Sequence, residues 1–214
     1  MNRYILFFLI PLFFSCTKQS FQVGDIFFQD LDCGPPCQAI EAVTSGYQGA
    51  QLSHCAIITS IGSSNHNTIL TEAIGETVIQ TTLHDFLNRS NKVFVGRLKN
   101  EYQYMIPDAI AYIQTDLNGK PYDYIFDIND DTYYCSEIIY EGLKKADNTQ
   151  ELFSLKPMTF NEPGTDSPFV HWVEYYEELG HPIPEGELGL NPGRMSRSDA
   201  IEIVHVYEKP TGMY

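Results

Sequence analysis

The chain reads as an α+β fold, a mainly antiparallel sheet packed against helices. Three observations predict it. Short apolar runs, several with period-two alternation, are separated by Gly, Asn and Ser turns between positions 23 and 98. A helical apolar spacing then occupies 104–117, and further helical patterns begin at Cys135 and near Phe169. Strands and helices fall in separate blocks, which argues against a parallel sheet built from alternating units.

Residues 23–29 (VGDIFFQ) read as the first strand, opened by a Gly-Asp turn. Residues 36–44 suit a short helix, with Pro36 in its first turn and Gly46 beyond its end. Residues 52–60 are a strand, 62–67 (GSSNHN) a polar turn and 68–74 the returning strand; after Gly75-Glu76, residues 78–81 complete an antiparallel meander. Thr82 caps a short helix over 83–88, and 93–98 is another strand. Ile106, Ala109, Ile110 and Ile113 give 104–117 its helical face, and Asn118-Gly119-Lys120-Pro121 stops it. The loop PYDYIFDINDD leads to the Cys135 helix, which ends near Lys144 and Lys145, where basic residues suit the helix dipole. Beyond Glu151 the chain is richer in Pro and Gly, with an amphipathic stretch over 169–179 and a last strand over 201–207.

A length of 214 residues suits one domain, and a net charge of −15 argues against a nucleic-acid partner, which needs Lys/Arg patches. Asn2 and Arg3 precede an apolar run over 4–14 that ends at Ser15-Cys16. The run has the size of a signal-peptide core and is too short to span a bilayer. Residues 1–15 resemble a bacterial lipoprotein signal, which implies cleavage before Cys16 and lipid on its thiol and amine; an ordinary secretory signal cut near Ser20 is the alternative. The expected organisation is signal 1–15, tether 16–22 and one domain over 23–214, in an exported, lipid-anchored protein of the bacterial cell envelope.

In an oxidising setting the other cysteines need assignment. Cys33 and Cys37, four apart in DCGPPCQ, are candidates for a structural disulfide or two free thiols; no second Cys or His pair accompanies them as metal ligands. Cys55, on the strand face opposite His54, reads as a small buried hydrophobe.

The order His54, Glu72, Cys135 carries the chemistry. His54 shares a strand face with Leu52, Ala56 and Ile58, and Glu72 shares one with Leu70 and Ile74. A carboxylate in an apolar row costs several kcal/mol without a partner, and the imidazole on the neighbouring strand is the obvious one. Cys135 shares a helix face with Ile138, Ile139 and Leu143, so its thiol points toward the sheet. A helix start favours thiolate over thiol, and its free N–H groups can serve an oxyanion. A structural histidine, a core cysteine and an edge-strand carboxylate are the bland reading of the same residues.

The stretches VGDIFFQ, SHCAIIT, TEAIGETVIQTTLHDF, GKPYDYIFDINDDTYYCSEIIYEGL and LGLNPGRMSRSDAIEIVHV together resemble the circularly permuted NlpC-type papain-like fold, and within it the YiiX-like amidase family. The resemblance covers most of the chain after the signal and implies Cys135 as nucleophile, His54 as general base and acid and Glu72 as orienter. It implies cleavage of amides, often in peptidoglycan peptides, through a thioester acyl-enzyme, with no metal or organic cofactor.

Candidate substrate-binding residues are Asp25, Tyr122, Asp123, Tyr124 and Tyr134; Asp25 reads foremost as a turn cap. Asp123, Asp127, Asp130 and Asp131 lack the glycine and terminal Glu of an EF-hand, and the pointed reading of the cluster is that some of them select a cationic amine on the substrate. His66, His84, His171, His181 and His205 show no metal-ligand spacing. Competing functions are an acyltransferase or thioesterase acting on lipid or N-acyl substrates, and a non-catalytic binding lipoprotein on the same fold.

Overall fold

A computed structural model describes residues 21–149 and 151–214. The signal and Cys16 lie outside the described residues. The eight strands are β1 (Ile26–Gln29), β2 (His54–Ser60), β3 (Ile69–Ile74), β4 (Thr77–Thr82), β5 (Val93–Leu98), β6 (Lys156–Pro157), β7 (Leu188–Gly189) and β8 (Ile201–Glu208). The helices are α1 (Pro35–Val43), α2 (Leu83–Arg89), α3 (Ile106–Tyr112), α4 (Cys135–Ala146), α5 (Val170–Leu179) and α6 (Pro192–Met195). Six strands form one antiparallel sheet in the order β4-β3-β2-β1-β5-β8, and β6 and β7 pair separately.

Alternation along β1 explains why IFFQ is apolar without a break. Ile26 and Phe28 face a core shared with α3 and α4, while Phe27 faces Leu83 and Phe86 of α2. Both faces of the sheet are covered, so a strand at its centre has no solvent side to mark with polar residues. Each fully buried Phe contributes roughly 1.5–3 kcal/mol, which makes β1 the sheet's anchor. β1 opens three residues later than expected, because Gly24 takes φ +92° in the turn ahead of it.

The expected long helix over 104–117 is three pieces. A 3-10 turn, Asn100–Met105, precedes α3, and a π turn, Ile113–Leu117, follows it. Pro107 in the first turn of α3 explains the boundary, since it has no N–H to continue a helix through it. The β6–β7 pair and α6 were not foreseen. Two-residue strands and a four-residue helix are too short for periodicity to register.

Candidate active site

Cys135 opens α4, with Tyr134 as N-cap in extended backbone. The Tyr134 N–H donates to Glu137 Oε2 at 3.2 Å. Burial raises the Glu137 carboxyl to about 9, so at neutral pH it is uncharged and leaves the positive end of α4 to the thiol. Cys135 is 7% exposed and packs in the α3/α4 core with Cys55.

His54 is the first residue of β2, opposite Gln29 at the end of β1. Its Nε2 lies 2.6 Å from Glu72 Oε2. Pairing of β2 with β3 begins at Ile57 opposite Thr71, so the contact reaches diagonally between the strands. Glu72 is 0% exposed and also accepts from Arg89 Nη2, at 2.7 Å on Oε1 and 2.6 Å on Oε2. Arg89 lies 5.2 Å over the Phe86 ring, and Phe86 in turn stacks on His54 with ring centres 6.0 Å apart. Thus α2 holds both ends of the His54–Glu72 pair.

The charges support one another. Burial pushes the His54 imidazole down, but hydrogen bonds and charge from Cys135 and Glu72 outweigh it and lift its pKa to about 9. Burial pushes Glu72 up, but the bonds and charges of His54 and Arg89 bring it to about 2. The Cys135 thiol is held well below its ordinary range by a hydrogen bond from Cys55 and, against burial, by His54. With Nε2 on Glu72, Nδ1 is the ring nitrogen left free of that carboxylate. The arrangement can hold a thiolate–imidazolium pair.

His54 and Glu72 lie on the α2 side of the sheet with Ala56, Ile58 and Leu70, as parity predicts. Leu52 departs from that parity and joins the opposite core, because the strand begins only at His54. Cys55 is buried in the core that also holds Cys135, as a small hydrophobe would be, and it helps hold the Cys135 thiol low. Cys33 and Cys37 form a disulfide.

A cavity of about 100 Å³ opens at Cys135. Tyr122 and Tyr134 line it, together with Phe126, Phe160, Trp172 and Arg194. Three expected binding residues are placed otherwise. Asp25 sits at the far end of β1, its carboxylate on Arg97 at 2.7 and 2.8 Å and on the Gln22 N–H at 2.8 Å. Asp123 is 0% exposed, and its Oδ1 accepts the Ile125 and Phe126 N–H groups at 2.8 Å each. The Tyr124 hydroxyl donates to the Gly75 carbonyl at 2.9 Å, and Tyr124 does not line the cavity. Arg89, Phe86 and Arg194 were missed. The Phe86–Arg89 spacing on one helix face was the one available hint of the first two.

A family model described as "Permuted papain-like amidase enzyme, YaeF/YiiX, C92 family" matches residues 20–205. The chain is similar to the crystal structure of metalloprotein YiiX from Escherichia coli O157:H7. The TM-score is 0.66 at 25% identity, covering 88% of this chain and 98% of that one. No curated protein matches the chain. Among the described residues, no group of three or more His, Cys, Asp or Glu side chains is arranged to hold a metal ion.

Proposed function

The chain belongs to the permuted papain-like amidase family of the YaeF/YiiX type, and from that premise we propose that it hydrolyses an amide with Cys135 as nucleophile, His54 as base and acid, and Glu72 as the group that orients His54. The observation that carries the assignment is one imidazole held at 2.6 Å by a buried carboxylate and raised in pKa with the help of the Cys135 thiol, which opens a helix.

In this reaction the Cys135 thiolate attacks the amide carbonyl, and the carbonyl π electrons move to oxygen. The Cys135 N–H at the first turn of α4 donates to that oxyanion. The His54 imidazolium delivers its proton to the departing amine as the C–N bond breaks, leaving a thioester. Water then attacks the thioester while His54 takes its proton, and thiolate leaves as the acid is released. Glu72, tied to Arg89, keeps Nε2–H pointed away from the thiol, so Nδ1 does the proton transfer.

The substrate in this proposal is a peptide-like amide of the cell envelope, reached by a protein exported through its N-terminal segment and held to the membrane by lipid on Cys16. A cavity of about 100 Å³ is well below the ~300–1,000 Å³ of sites that enclose drug-sized ligands. It takes a side chain or a short group, which favours a peptide amide over a long-chain acyl lipid.

The test needs no substrate. Protein beginning after Cys16 is treated with limiting iodoacetamide near neutral pH, and the labelled cysteine is mapped by peptide mass. Fast labelling confined to Cys135 that collapses in His54→Ala is the expected result, and peptide amides are then screened. Labelling indifferent to His54 would sink the assignment.

A further inference from the structure

The walls of the Cys135 cavity have an unexpected charge. The chain holds 28 Asp and Glu against 13 Lys and Arg. Yet among the described residues no carboxylate lines this cavity, and Arg194 is its one Lys or Arg. Beside the Cys135 thiol, the rest is aromatic, aliphatic, thioether, hydroxyl or amide. The acidic loop before Cys135 supplies Tyr122, Phe126 and Tyr134 to the wall and none of its aspartates.

Arg194 is half-buried and, among the described residues, its guanidinium has no carboxylate or hydrogen-bond partner. Of the four described arginines, Arg89 is paired with Glu72 and Arg97 with Asp25. A guanidinium carries five donors in a planar fork, and removing it partly from water without an acceptor is costly. In a chain with such an excess of carboxylates a partner would be easily found. Beside it, the exposed Arg197 and Lys156 line a second hollow of about 490 Å³, with Arg194 in the wall common to both. Glu151 and Asp199 also line that hollow and bridge to neither arginine among the described residues.

The position of Arg194 is held relative to the thiol. Asn191 Oδ1 accepts the Arg194 N–H at 2.8 Å, and Asn191 Nδ2 donates to Thr44 Oγ1 at 2.7 Å. Just upstream, Leu190 accepts from Ser136 Oγ at 3.1 Å and donates to the Tyr134 hydroxyl at 3.2 Å. Ser136 and Tyr134 flank Cys135. The short helix that carries the arginine is therefore fastened to the first turn of α4.

We propose that Arg194 binds an oxyanion of the substrate, a carboxylate or a phosphate, while an apolar group of the same molecule sits among Phe126, Phe160 and Trp172. The amide cleaved at Cys135 then belongs to an anionic substrate, the reverse of the cationic amine that the acidic loop suggested. A guanidinium engages either oxyanion through paired hydrogen bonds. The proposal rests on Cys135 being the nucleophile.

The experiment uses two alkylating probes matched in size and differing in charge, N-iodoacetylglycine and its amide, with the longer N-iodoacetyl-O-phosphoethanolamine as a third. Rates are read at Cys135 by peptide mass in wild type, Arg194→Gln and Arg194→Lys. The expected result is a preference for an anionic probe over the neutral amide. In Arg194→Gln the anionic-to-neutral ratio falls about tenfold, the size of one charge-assisted hydrogen bond; Arg194→Lys keeps part of it. Preference for the carboxylate or for the phosphate probe identifies which oxyanion the site takes. An anionic-to-neutral ratio equal in wild type and Arg194→Gln would overturn the proposal. A neutral-probe rate indifferent to His54→Ala would instead overturn the nucleophile assignment; the ratio is still read from the slower reaction, so the two failures are distinct.

Discussion

Replacing Glu72 by Gln removes one negative charge and keeps the side chain's shape. His54 stands at about 9 against an ordinary 6.5, a preference for imidazolium of roughly 3 kcal/mol at about 1.36 kcal/mol per pH unit. Glu72 lies 2.6 Å from Nε2. Cys135 is the larger source of that preference and Glu72 the second; at an effective dielectric near 20, unit charges about 4 Å apart attract by about 4 kcal/mol, so the share of Glu72 is still substantial. In Glu72→Gln the His54 ring should titrate at least about one pH unit lower. Stability follows with a defined sign. The raised imidazole stabilises the fold fully below pH 6.5, and this is lost as pH rises through about 9. The depressed Glu72 stabilises it above pH 4.5, and this is lost as pH falls through about 2. These are largely two views of one interaction and count once. The wild-type advantage over Glu72→Gln should therefore be greatest between pH 4.5 and 6.5, at roughly 3 kcal/mol, and shrink on both sides. Ring NMR titration, with His54 assigned from His54→Ala, and urea midpoints at acid, mid and alkaline pH check both parts. A His54 that still titrates near 9 in Glu72→Gln, or a stability loss independent of pH, would refute the reasoning.

Further outcomes are expected elsewhere. Arg89→Met keeps an apolar stem over Phe86 and removes two bonds to Glu72, so it should cost roughly 1.5–3 kcal/mol at neutral pH and move the acid limb of the urea-midpoint profile upward. Gly24→Ala asks a Cβ to sit at φ +92° and 2.6 Å from Ile106 Cδ1; the unfolding free energy from urea titration should fall by roughly 2–3 kcal/mol, with Cys135 alkylation of the folded protein unchanged. Cys33→Ser with Cys37→Ser opens a bridge between residues four apart. Chain entropy assigns so short a loop about 2 kcal/mol, visible as equal melting temperatures with and without reductant in the variant and unequal ones in the native chain.

The parts of the site that local alternation controls were legible. Period two on adjacent strands put His54 and Glu72 on a common face, and an apolar row made their partnership necessary. The helical spacing after Cys135 turned its thiol to the sheet. What lies between elements was not legible. Arg89 reaches Glu72 only because α2 packs across the same face of the sheet, a tertiary fact that the Phe86–Arg89 spacing on one helix face hints at and does not fix. Cys55 shows the limit of parity itself. It correctly lies on the face away from His54, and that is the face on which α4 brings Cys135. Thiol and imidazole therefore belong to opposite sides of the sheet, and the proposed pairing has to run around the end of β2, where alternation no longer decides what touches what.

The acidic loop makes the same point about charge. Asp123 is spent on the Ile125 and Phe126 N–H groups, Asp127 on Asn129, Asp130 on Thr132 and Asp131 on Lys120. The first three are side chains closing turns of their own backbone, the use for which Asp is favoured in loops, and the fourth is an ion pair. Counted in sequence, they look like a field that would draw a cation to Cys135. Once each carboxylate is followed to its acceptor role, Asp123 is buried, Asp131 is matched by a lysine, and the cavity sees none of the four. A single unpartnered guanidinium then outweighs them, because in a small apolar site the nearest charge without a partner, rather than the net charge of the chain, sets what binds.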